Sequence, residues 1–182
     1  MPHRRPPTCL ALVILAAFVS RDALAQPEFD CTAPTPPGVS GAVVLGNGSP
    51  GSVSTAAIQQ ALDAGGPIRI DAGAGTILVD ATLQVTRDAI LDLGGSTLSG
   101  GNARRVIEMS NPANLFYTFV MQHGAITGGS TPAESGAGLY KATGGPWQAV
   151  TLRIFDIDFS DNHAIAVAQD DGGGAIYVVG AA

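Results

Sequence analysis

The chain has 182 residues, of which 24 are Gly; 46% are apolar, 5% aromatic and 13% charged, and the formal net charge is −6. Glycine therefore stands at nearly twice its usual share of roughly 7%, and charge at about half of the usual quarter. This composition excludes a coiled coil, a basic nucleic-acid binder and a disulfide-stapled miniprotein, and a mean hydropathy of +0.27 excludes a plainly disordered chain.

Residues 1–25 read as a secretory signal peptide. His3, Arg4 and Arg5 form a basic start, Leu10 to Val19 is an apolar run of ten residues, and Ala23-Leu24-Ala25 supplies a small-residue cleavage site before Gln26. Ten apolar residues reach half of the ~20 that a membrane-spanning helix needs, so no transmembrane segment is expected in the mature chain. Pro6-Pro7 after Arg4-Arg5 departs from a twin-arginine signal, and Asp30 before Cys31 departs from a lipoprotein site. The expected address is secreted, extracellular or on the outer cell surface. Removal of the signal takes Cys9 with it and leaves Cys31 alone. Cys31 is then a free thiol, an intermolecular partner, or half of a bond completed beyond this chain. The mature part carries six basic and fourteen acidic residues, which argues against nucleic acid or anionic surfaces as partners.

Residues 26–42 hold Pro27, Pro34, Pro36 and Pro37 and read as an extended spacer. Ser54 to Ala64 reads as a helix: Ser54 or Thr55 can cap it, Ile58, Ala61 and Leu62 share a face, and Gly65-Gly66-Pro67 stops it. From there the period changes to two. Ile77, Val79, Ala81, Leu83 and Val85 alternate along one expected strand, and short strands recur at 68–71, 89–93, 106–109, 116–122, 152–159 and 175–179. No second helix separates them, so the strands belong to a sandwich, a barrel or a parallel β-solenoid.

An internal repeat favours the last. Gly136-Ala137-Gly138-Leu139-Tyr140 returns 37 positions later as Gly173-Gly174-Ala175-Ile176-Tyr177, and Ile126 and Phe159 lie 33 apart. Leu152-x-Ile154-x-Asp156-x-x-Phe159-x-x-Asn162, followed by Gly173-Gly174-Ala175-Ile176, resembles the F-x-x-N and G-G-A-I repeats of polymorphic outer-membrane proteins and of exported proteins of the pectin-lyase-like fold. The first repeat departs from that pattern, with Gly128-Gly129 where the Asn would stand. The resemblance implies an all-β, right-handed parallel β-helix over residues 43–182, capped by the 54–64 helix. The apolar ending Ile176 to Val179 adds the expectation that such a domain is truncated at its C-terminus.

The resemblance also implies where chemistry would lie, since enzymes of this fold work in an external groove. Pectate lyases there use acidic residues for Ca²⁺ with an Arg base, and polygalacturonases use several Asp with a His. The candidate catalytic residues are accordingly Asp156, Asp158, Asp170, Asp171 and His163, with Asp170 and Asp171 as candidate metal ligands and Arg153 nearby. The plainer reading makes the same Asp residues corner and surface residues, and Asp170-Asp171-Gly172-Gly173-Gly174 a turn. Gln122-His123-Gly124 is similar to the Gly-His-Gly of polygalacturonases except for its first residue, and reads as a strand end. Trp147, in a Gly/Pro loop, either stacks on a sugar or closes that loop. No phosphate loop, zinc spacing or G-x-S-x-G elbow is present. The expectation is an exported surface or extracellular binding module with a polysaccharide as partner and no cofactor. The alternative is a polysaccharide lyase or glycoside hydrolase, with Ca²⁺ in the lyase case.

Overall fold

Glycine, Asn and Asp at recurrent positions divide the chain into short strands, and the strands find partners far away in sequence. The computed structural model describes residues 34–110, 116–132, 134–142, 150–165 and 173–179. The expected signal peptide, Cys31, Trp147, Asp170 and Asp171 lie outside the described residues. In chain order the elements are β1 (Val43–Gly46), α1 (Thr55–Ala64), β2 (Gly66–Asp71), β3 (Thr76–Leu78), β4 (Leu83–Val85), β5 (Ala89–Asp92) and β6 (Thr97–Arg104). They continue with β7 (Ile107–Met109), β8 (Tyr117–Thr131), β9 (Leu139–Ala142), β10 (Val150–Ser160), β11 (His163–Ala164) and β12 (Ile176–Val179).

All strand pairs among them are parallel. One sheet has eight strands in the order β1-β2-β5-β8-β6-β3, with β10 and β11 also on β8; the second has four, β12-β9-β7-β4. This corrects the expected right-handed parallel β-helix. The described residues are mostly parallel sheet with a single α-helix, and the larger sheet curls into a half-barrel. The cause lies in β8. It was expected to end near Gln122, but it runs for 15 residues through His123 and joins two sets of strands into one sheet. A second expectation also fails locally: the alternating stretch 77–85 is broken at Asp80–Thr82, so β3 and β4 belong to different sheets and Ala81 faces solvent.

Register turns the apolar residues into columns. Ile68, Leu91, Met121 and Ile154 stand side by side in the larger sheet, and Leu83, Ile107, Leu139 and Ile176 do so in the smaller one. Each buried member of such a column contributes about 1.5–3 kcal/mol. The 37-position interval is a pairing distance, since Leu139 faces Ile176 and Tyr140 faces Tyr177. The two tyrosine rings stack in parallel with centroids 5.9 Å apart. The hydroxyl of Tyr117 lies 2.8 Å from the carbonyls of Val85 and Ser110, tying β8 to the end of β4. Burial pushes that hydroxyl's pKa up to about 12.

The helix forms where its cap, period and stop signal agree. Ser54 accepts from the Ala57 N–H at 3.1 Å, Gly65 closes the helix at φ 79°, and Ile58, Ala61 and Leu62 are buried. The Gln59 side chain accepts from the backbone N–H of Gln84 at 2.8 Å and donates to its carbonyl at 3.0 Å, while Thr55 accepts from the Asp80 N–H. The helix thereby satisfies the backbone groups at the β4 edge of the smaller sheet, which unpaired would be a template for another strand.

Asn162 plays a comparable part beyond β10. Its amide donates to the Ile126 carbonyl at 3.0 Å, and its oxygen accepts from the Gly129 N–H at 2.9 Å. Gly129 stands where the repeat pattern would put another Asn, and a Cβ there would lie 2.7 Å from the Asn162 oxygen. Glycine is therefore required at 129 by close approach. Asn162→Ala is expected to leave both backbone groups without that partner and to lower stability by about 1–3 kcal/mol. Urea unfolding followed by circular dichroism measures this, and an unchanged midpoint would contradict it.

Candidate functional site

Strands whose side chains alternate place every second residue on the outer face of the larger sheet. Pro67, Ile90, Val120 and Arg153 occupy one register position across β2, β5, β8 and β10. With Pro37, Asp88 and Thr118 they line a cleft of about 300 Å³, the small end of the range for ligand pockets. The floor is apolar and the polar groups sit at the margins. Asp88 accepts from the Thr118 N–H at 2.7 Å, whereas Arg153 is exposed and makes no ion pair among the described residues.

Two residues further along the same face lies a polar array. Asp92 ends β5 and is 6% exposed; it faces Gln122 across the sheet. One carboxylate oxygen accepts from the Gly94 N–H at 2.9 Å. The other accepts from Gln122 at 3.1 Å and lies 3.2 Å from His123 Nδ1. The Gln122 amide also reaches the Pro37 carbonyl, at 3.3 Å. On the far side, His123 Nε2 is 3.9 Å from the exposed carboxylate of Asp156. An imidazole sits here between a buried carboxylate and an open one. In the tautomer that donates Nδ1–H to Asp92, the Nε2 lone pair lies on the Asp156 side of the ring.

Backbone geometry creates this array. His123 and Asp156 both adopt left-handed φ, 57° and 50°, which is uncommon outside Gly. Their neighbours stay in register, Phe155 with Gln122 and Ile157 with Gly124, so the two bends coincide in adjacent strands.

The structure treats the sequence candidates unequally. Asp156 joins the array. Asp158, expected to share its face along a straight strand, is separated from it by the bend at Asp156 and is exposed. His163 lies on β11 against Ser130, at the opposite end of β8 from Tyr117 and beyond the bend. Asp170 and Asp171 lie outside the described residues. Asp92 and His123 were missed, and Gln122-His123-Gly124 is a bend inside β8 and not a strand end. A signal existed: the 33-position offset that carries Ile126 onto Phe159 also carries His123 onto Asp156.

Among the described residues no group of three or more His, Cys, Asp or Glu is placed to hold a metal ion. No helix among them is long and apolar enough to cross a membrane. Comparison with protein-family models, curated proteins and solved structures gave no match.

Burial raises the pKa of Asp92, but the hydrogen bonds from Gln122, Gly94 and His123 and the charge of His123 outweigh it, so the carboxyl ends below its ordinary value. A carboxyl with a depressed folded pKa contributes stability that is full above its unfolded pKa, near 4, and is lost as pH falls through the lower folded value. Asp92→Asn is therefore expected to cost stability at pH 7, with the difference from wild type shrinking below about pH 4. Thermal unfolding of both proteins between pH 2 and 7 checks this; a gap independent of pH would contradict it.

Proposed function

We propose that this chain is an exported protein that binds extracellular carbohydrate through the outer face of its larger sheet. The cleft over Pro67, Ile90 and Val120 carries the reading. Sugar rings present apolar C–H faces that pack on such a floor, and hydroxyls at their edges that need charged or polar partners. Arg153 offers donors and Asp88 an acceptor at the margins of that floor. The basic, apolar and small-residue succession of residues 3–25 supports export.

The array of Asp92, His123 and Asp156 favours a second reading, a polysaccharide lyase or glycoside hydrolase. The bent ladder supplies a proton acceptor oriented by a buried carboxylate, with a second carboxylate in reach.

Retention on immobilised polysaccharides, neutral and uronate-containing, tests the first reading. Wild type is expected to be retained by at least one, and Ile90→Trp, which fills the floor, to lose at least about tenfold in affinity, or 1.4 kcal/mol. Absence of retention across the panel, or retention unaltered by the tryptophan, would overturn it. Release of reducing ends or unsaturated uronates from a retained polymer, lost in His123→Asn, would replace binding by catalysis.

A further inference from the structure

The last long strand of the larger sheet leaves one side open. Among the described residues β10 pairs with β8 alone, so an edge of eleven residues presents its backbone groups. The apolar residues beneath it are also incompletely covered. Phe119, Met121 and Ile126 on β8 are fully buried, while Leu152, Ile154 and Phe159 at the matching positions on β10, and Ile157 opposite Gly124, are only partly so. Something the size of another strand would complete both the ladder and the core.

The sequence of β10 is complementary to its own reverse. A second β10 laid antiparallel, with the two-fold axis between Phe155 and Asp156, sets Leu152 opposite Phe159 and Ile154 opposite Ile157. On the outer face the same register sets Arg153 opposite Asp158, twice per pair, and Thr151 opposite Ser160. Each of these four kinds of pair has both members on one face, as an antiparallel ladder requires. The left-handed bend at Asp156 falls beside the axis, so both strands turn together. Phe155 against Asp156 is the one ill-matched pair.

We propose that the β10 edge is the seam of a two-fold dimer of this chain. Pairing the same edge on both copies uses it up, so the contact closes at two instead of growing into a fibre. Opposite charges across strands favour this register, and like charges directly opposed disfavour it. Because Arg153 also borders the cleft, the two clefts open onto one continuous outer face.

Charge exchange tests the seam, and both residues are exposed, so the changes spare the core. Sedimentation equilibrium on the full chain at micromolar concentration is expected to give a dimer. Arg153→Asp and Asp158→Arg each place like charges opposite one another twice, and each is expected to raise the dimer dissociation constant by about tenfold or more. The double exchange restores two opposite-charge pairs and is expected to return to within about threefold of wild type. A monomeric wild type, whether its edge meets water or another part of the chain, overturns the proposal. So do open-ended aggregates, single variants that associate as wild type does, or a double variant that fails to recover.

Discussion

The bend in the middle of β8 is the constraint on which the rest depends. A straight strand of fifteen residues would reach across one sheet and out of the molecule. With His123 in the left-handed region, β8 changes direction while the residues on either side of it stay in register with β10. Its first half then pairs with β5 and its second with β6, and β10 follows both halves. Parallel sheets are slanted ladders that tolerate little slippage once one face is buried. A bend in one strand therefore has to be answered by its neighbour, as Asp156 answers His123. The columns of Leu, Ile and Met beneath stay aligned because the bends above them do.

The same requirement explains why the polar groups gather where they do. A left-handed residue other than Gly is most readily Asn, Asp or His. Among the described residues such positions are Asn102, His123, Asp156 and Asp161. Side chains at coincident bends meet, and what met at His123 is an imidazole flanked by carboxylates. Arg105 holds another junction by a different means. It is 8% exposed and reaches Glu108 at 2.6 Å, Glu134 at 2.8 Å and the carbonyls of Ser135 and Gly136, with its guanidinium 4.4 Å from the centre of the Tyr140 ring. A cation so enclosed needs each of those partners, because burying a charge without them costs several kcal/mol. It fixes the turn before β9 to the start of β7.

Much of this was legible in the sequence, and the limits have physical causes. The helix could be read because Ser54, the spacing of Ile58, Ala61 and Leu62, and Gly65 all agree. The 37-position repeat could be read because register copies a sequence interval into space. The break between β3 and β4 could not. Leu83 and Val85 resume the same buried phase after the corner as Ile77 and Val79 kept before it, so alternation passes through Asp80–Thr82 unmarked. The fusion of two strand sets through β8 was hidden for a related reason: Gly124 beside His123 reads as the end of a strand, and nothing local shows that the same strand resumes after the turn. The array itself is assembled from residues 92, 123 and 156, which no local window contains. Asp158 and His163 are near Asp156 in sequence and apart from His123 in the fold, whereas Asp92 is distant in sequence and in contact with it.

The parallel order has a kinetic consequence. The nearest partners in any strand pair, Thr76 and Thr97, are 21 positions apart, and the pairing of β9 with β12 spans 37. Among the described residues no hairpin offers a quick local start. Each strand must wait for chain that follows it, and loop closure is disadvantageous until several ladders form together. Such topologies fold slowly for their size. If the chain is exported as proposed, staying open for that long keeps it in a state that can be threaded through a narrow channel, with its barrier to unfolding gained on the far side.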